Sequence, residues 1–329
     1  MNWDNEDFEA FIRRANPVPP EAEPAPTLRQ LALRDQIMRP AARRRVPRSR
    51  AWAALWAPLA ALAVVIAVVL TVPPAEEARA VTTPKPLDFR DEGKTLEDVT
   101  ETAQRNLARS GGPVHPERAV ESTGWYYQVD AVDSDAPRRV ISPEVTTLEW
   151  NEDLSGSTRT VAGKPYWADG GQGDFPRSTA TPGTLLWEVD FAPGEFQSPV
   201  VTAPGAGDTE VLAMLRAYGL ESERSAFEVM NATETALQYW TLTNDQHQAL
   251  LQAILRTDDA RLLGSATDRA GRPIAGIAAT LPSGSAELHL LVSQDTGRIV
   301  GAETYTLEAD HPFPANAIVS YRIWDLSPQ

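Results

Sequence analysis

Chemistry needs nucleophiles, metal ligands or paired acids, so the 329-residue chain is read first for those. It has no cysteine, which removes disulfide frameworks, Cys-ligated zinc, Fe–S clusters and thiol nucleophiles together. Its four histidines are His115, His247, His289 and His311. No two lie at i, i+4 and no H-E-x-x-H occurs, so nothing marks a metal centre or calls for a cofactor. His289 alternates within Glu287-Leu288-His289-Leu290-Leu291, which predicts a histidine on a strand surface.

Asp295-Thr296-Gly297 is the aspartic-protease triplet, but that chemistry needs two carboxylates sharing a proton and the triplet occurs once. Between Leu290-Leu291-Val292 and Ile299-Val300 it reads instead as a hairpin turn. Gly170-Gly171-Gln172-Gly173 lacks the strand–turn–helix setting and the following Lys-Ser/Thr of a phosphate loop. No catalytic constellation emerges, and the expectation is a protein that is not an enzyme. The aromatic residues are the stronger signal. Trp125, Tyr127, Trp150 and Trp187 could line an apolar cavity for a lipid or peptide, or pack as core.

The elements that would position these residues follow from charge. Residues 1–50 hold 10 Arg against 7 carboxylates, a net of +3, with Arg39 to Arg50 purely basic. Residues 51–72 (AWAALWAPLAALAVVIAVVLTV) carry none. Residues 73–329 hold 38 acids against 20 bases, a net of -18. As a helix the uncharged 22 residues would span about 33 Å, which matches a hydrocarbon core of about 30 Å. Trp52 and Trp56 suit the headgroup region, and the Arg cluster orients the span with its N-terminus cytoplasmic.

Ala78-Arg79-Ala80 resembles a signal-peptidase site, and a start at Met38 would give an ordinary leader. A 50-residue n-region and a 22-residue apolar core are too long for one, which favours an anchor. Topology and anionic-lipid contact account for the basic run, and a pI near 4.8 argues against nucleic acid as a partner.

Within 1–50, Phe8, Phe11 and Ile12 share a helical spacing, five prolines from Pro17 to Pro26 break it, and Leu28 and Leu31 begin a second short helix. Such pieces cannot bury enough area to fold alone, so these five apolar residues are the expected contacts for a cytoplasmic partner. Residues 73–94 read as a Pro-rich stalk.

From 95 onward the pattern predicts an extracytoplasmic α+β domain with an antiparallel sheet. A helix runs over Thr95 to Ser110. Strands follow at 125–129, 145–150, 157–161 and 185–189, and helices at 210–218, 233–242 and 244–255. A strand meander runs from Leu262, with reversals near 269–272, 282–285 and 295–297, and a last strand spans 317–324.

Gly124-Trp125-Tyr126-Tyr127, the run Asp208 to Leu220 and the block Leu262 to Val300 resemble an uncharacterised family of actinobacterial single-pass membrane proteins with anti-sigma-factor-like architecture. The resemblance implies a half-open β-barrel outside, similar to that of lipoprotein carriers, and a cytoplasmic sigma factor as partner. Residues 1–50 contain neither His nor Cys, so the pattern is not that of the zinc-type anti-sigma proteins.

Overall fold

The computed structural model describes residues 84–130, 138–164, 180–308 and 315–325. Phe8, Phe11, Ile12, Leu28 and Leu31 and the 51–72 span lie outside the described residues, as do Gly170 to Gly173 and His311. Among the described residues no helix is long and apolar enough to cross a membrane.

Among the described residues nine strands form one antiparallel sheet: β1 (Ala119–Asp130), β2 (Arg138–Trp150), β3 (Gly156–Ala162), β4 (Leu185–Phe191), β5 (Arg261–Thr267), β6 (Pro273–Thr280), β7 (Ala286–Ser293), β8 (Ile299–Thr306) and β9 (Ile318–Ile323). Their order is β4-β3-β2-β1-β9-β8-β7-β6-β5, so two meanders meet where the last strand pairs with the first. The edges are β4 and β5, and the sheet is open. The expected α+β architecture with an antiparallel sheet is what the chain adopts.

Among the described residues four helices accompany the sheet: α1 (Leu96–Leu107), α2 (Asp208–Ala217), α3 (Ala226–Ala236) and α4 (Asn244–Leu255). Capping boxes at Thr95/Asp98 and Thr243/Gln246 start α1 and α4, each satisfying two backbone donors reciprocally. The middle helix differs from its predicted range of 233–242. Ser225 caps α3 by accepting the Glu228 N–H, and Ala226 N–H donates to Asp259, so the helix starts and ends earlier. The segment after it is thereby freed to pair Thr241 with Glu117 and to offer the Tyr239 carbonyl to Trp150.

Cross-strand partners share a face, so the register sorts the sheet into two sides. On one side Trp150, Leu148 and Val120 meet Trp240 and Phe196, while α3 packs on β6 and β7. Arg118 stacks over both indoles, 5.2 Å and 5.1 Å from their centroids. The opposite side carries Trp125, Tyr321, Glu303 and His289 in one row, one per strand from β1 through β9 and β8 to β7.

Of the 73–94 segment expected as a Pro-rich stalk, residues 73–83 lie outside the described residues. From Pro84 the chain is laid against the domain: Leu87 is buried with Ile274, Leu291 and Val300, and Arg90 exchanges both backbone hydrogen bonds with Ser265 of β5, at 2.8 and 2.9 Å. Buried apolar surface at Leu87, which a proline count does not register, holds it there.

Asp295-Thr296-Gly297 is the β7–β8 turn, as predicted, and Gly297 sits at φ +78°. A Cβ there would stand 2.0 Å from the Ala103 carbonyl oxygen of α1. Gly297→Ala should therefore cost about 1–3 kcal/mol in backbone strain and displace α1 besides, read as a lower urea midpoint with the slope unchanged.

Candidate functional site

Two clusters of buried polar groups stand out among the described residues, one on each side of the β7–β8 hairpin.

The first is a ladder on the face covered by residues 84–90. Glu287 pairs with Tyr305 across β7 and β8, and His289 pairs with Glu303. Their i, i+2 spacing puts all four on one side. His289 Nε2 stands 2.6 Å from Glu287 Oε1, and Arg261 donates to Oε2 of the same carboxylate at 2.6 Å. Arg269, reaching in from the β5–β6 turn, donates to Glu303 Oε1 at 2.6 Å with neither side chain more than 1% exposed. Tyr305 donates to the other Glu303 oxygen, and its ring lies 4.2 Å from that of His289.

The electrostatics follow from this packing. Hydrogen bonds from His289 and Arg261 hold the Glu287 carboxyl down to about 2 against its burial. Burial pulls against the Arg269 charge, but Glu303 and the surrounding tyrosines offset it and leave the guanidinium pKa raised. Burial, and then Glu303, push the Tyr305 hydroxyl far above its ordinary value. His289 is therefore no strand-surface residue. The predicted alternation is correct, but the chain from Pro84 to Arg90 covers its face and leaves it 7% exposed. Phe89 meets it edge-on with centroids 6.0 Å apart.

The second cluster surrounds His247 of α4. Ile299 N–H donates to its Nδ1 at 3.2 Å, so a neutral ring carries its proton on Nε2. That Nε2 and Trp324 Nε1 have no hydrogen-bond partner among the described residues, and both residues line a cavity of about 20 Å³. Arg298 beside them is fully engaged. It donates to Asn244 Oδ1 at 2.8 Å and the Leu242 carbonyl at 3.0 Å, and it pairs with Asp325, held at φ +54°.

Burial, helped by Arg298, lowers the His247 pKa well below 6.5. The unfolded state then binds the extra proton, so this contribution is complete above about pH 6.5 and is lost as pH falls below it. The unfolding free energy of the native chain, read from urea titrations, should drop between pH 7 and 5 by up to about 1.4 kcal/mol per pH unit from this group. His247→Gln should lack that part of the slope. Glu287 acts lower, losing its contribution as pH falls from the ordinary carboxylate range through about 2.

The aromatic residues expected to line one cavity are not brought together. Trp125 has the parity of one face, whereas Trp150 and Trp187 have that of the other, and the Tyr127 side chain lies outside what is described. Trp125 is fully buried against Tyr305, Ile318, Tyr321 and Ile323. Trp150 is 3% exposed, with its Nε1 donating to the Tyr239 carbonyl at 2.9 Å. Trp187 is half-buried on β4. Sequence reading missed Arg269, Glu303 and Arg298. For Glu303 the available signal was a charged residue placed within an otherwise apolar strand, whereas Arg269 and Arg298 stand in turns, where a charge is unremarkable.

Among the described residues no group of His, Asp and Glu could hold a metal ion. No family model matches the sequence, and no curated protein matches it. One solved structure is similar: a domain from Vibrio parahaemolyticus, described as an outer membrane lipoprotein-sorting protein domain. It is 10% identical over 68% of this chain and 75% of that chain, with a TM-score of 0.22.

Proposed function

We propose that the chain is a non-enzymatic, single-pass envelope protein. Its outer domain recognises a ligand, and its first 50 residues pass the bound state to a cytoplasmic partner of the sigma-factor kind. The observation that carries this reading is the charge partition: +3 over 1–50, none over 51–72 and -18 beyond. In this reading the open sheet is a half-open, carrier-like scaffold put to recognition.

Carriage of a lipid is the weaker alternative. It needs a continuous apolar cavity, and the aromatics that would line one lie on opposite faces of the sheet. Trp125 and Trp150 are packed as core.

The absence of cysteine makes the test clean. On intact cells a membrane-impermeant maleimide should label Ser283→Cys, in the exposed β6–β7 turn, and spare Ser49→Cys. Labelling of Ser49→Cys from outside would end the reading. For the relay, a sigma factor should co-purify with the intact chain and be lost with Phe8→Ala/Phe11→Ala/Ile12→Ala.

A further inference from the structure

Glycines cut a trough into the sheet. Gly264 on β5 pairs with Gly276 on β6, Gly276 pairs with Leu291 on β7, and Leu291 pairs with Gly301 on β8. All therefore lie in one row on the face that carries His289. The row is occupied by the chain's own juxtamembrane strap, residues 84–90. A Cβ on Gly276 would stand 2.3 Å from the Phe89 ring, and one on Gly264 would stand 2.1 Å from the Arg90 carbonyl oxygen. Leu87 fills the adjoining apolar floor of Ile274, Leu291 and Val300.

The strap fits the apolar part of the trough better than the polar part. Arg269 donates to the Lys85 carbonyl at 3.2 Å, yet its Nη1 has no partner among the described residues, although the side chain is wholly buried. His289, whose side chain is only 9% exposed, faces the Glu287 carboxylate through Nε2, so its Nδ1 is an acceptor in the neutral ring. That atom is unpartnered too. One donor and one acceptor thus go unmatched beneath the strap, and each unmatched group is costly when buried.

We propose that this trough is a binding site for an extended peptide, with residues 84–90 its intramolecular stand-in. The ligand carries apolar residues two apart, as Leu87 and Phe89 are, and pairs along β5 as Arg90 does. A peptide unit offers one carbonyl acceptor and one N–H donor, the complement of what Arg269 and His289 leave unmatched. The inference rests on the recognition half of the function proposed above and supplies its ligand class.

The probe is a fluorescent peptide of residues 84–92 (PKPLDFRDE), titrated onto the full chain in detergent and read by anisotropy. A closed site lowers apparent affinity by the fraction of chains that are open, so the intact chain should bind weakly. A Leu87→Asp/Phe89→Asp chain, its strap released, should bind at least about tenfold more tightly. Adding Gly276→Val to that chain should abolish the gain by filling the trough. If the released chain keeps its near-UV circular dichroism and binds no better than the intact one, the trough is not a peptide site. Equal binding after Gly276→Val overturns it as well. Should the double variant not fold, Phe89→Ala is held to the same criterion. Maleimide labelling judges sidedness alone, so a failed titration and a failed topology are separate results.

Discussion

Glu303→Gln should destabilise the domain by about 3–5 kcal/mol, the usual consequence of removing one partner from a fully buried ion pair. Arg269 is 0% exposed at its side chain and among the described residues takes its carboxylate from Glu303 alone, so the variant leaves a buried charge without that counter-ion. The amide keeps the shape and can still accept a hydrogen bond from Tyr305, so the loss reports charge rather than volume. A domain is held by about 5–15 kcal/mol in total, and this change should bring the urea midpoint close to zero denaturant.

The companion variant separates the worth of the pair from the cost of breaking it. Arg269→Met/Glu303→Leu removes both charges and should lie within about 1 kcal/mol of the native chain or above it. A single variant with nearly native stability would mean that solvent reaches the guanidinium. The buried ladder would then not exist as described.

This pair shows where the sequence could be read and where it could not. The strand meander from Leu262, its turns and α4 were legible because alternation and caps are local: Thr243 with Gln246 defines a helix start within four residues. The pairing of β9 with β1 joins Tyr321 to Trp125 across almost 200 residues, and no local pattern encodes it. His289 and Glu303 looked like the polar side of a half-solvated sheet. They are buried because a segment that reads as linker, Pro84 to Arg90, folds back over them. Burial on the second face of a sheet depends on what covers it, which alternation within a strand does not report. α3 departs from its expected range for the opposite reason: its cap Ser225 is local, but the Leu237 to Leu242 run that follows is equally apolar and helix-like.

The aromatic residues give the other large effect. Trp150→Ala should cost about 3–5 kcal/mol, whereas Trp187→Ala should cost less than about 1 kcal/mol, although both were candidates to line the same cavity. Trp150 meets Trp240 edge-on with centroids 4.9 Å apart and Phe196 at 5.3 Å, and it carries one of the two rings under Arg118. Its removal empties a volume on three sides that the sheet and the helical layer cannot both close, and it leaves the buried Tyr239 carbonyl without its 2.9 Å donor. Trp187 stands half-buried near the open edge of the sheet, where solvent replaces what the ring covered. Thermal or urea unfolding of the two variants should differ severalfold in ΔΔG. If Trp150→Ala were instead nearly neutral, the indole would be lining accessible space, and the lipid-carrier reading would regain the cavity that the packing at present denies it.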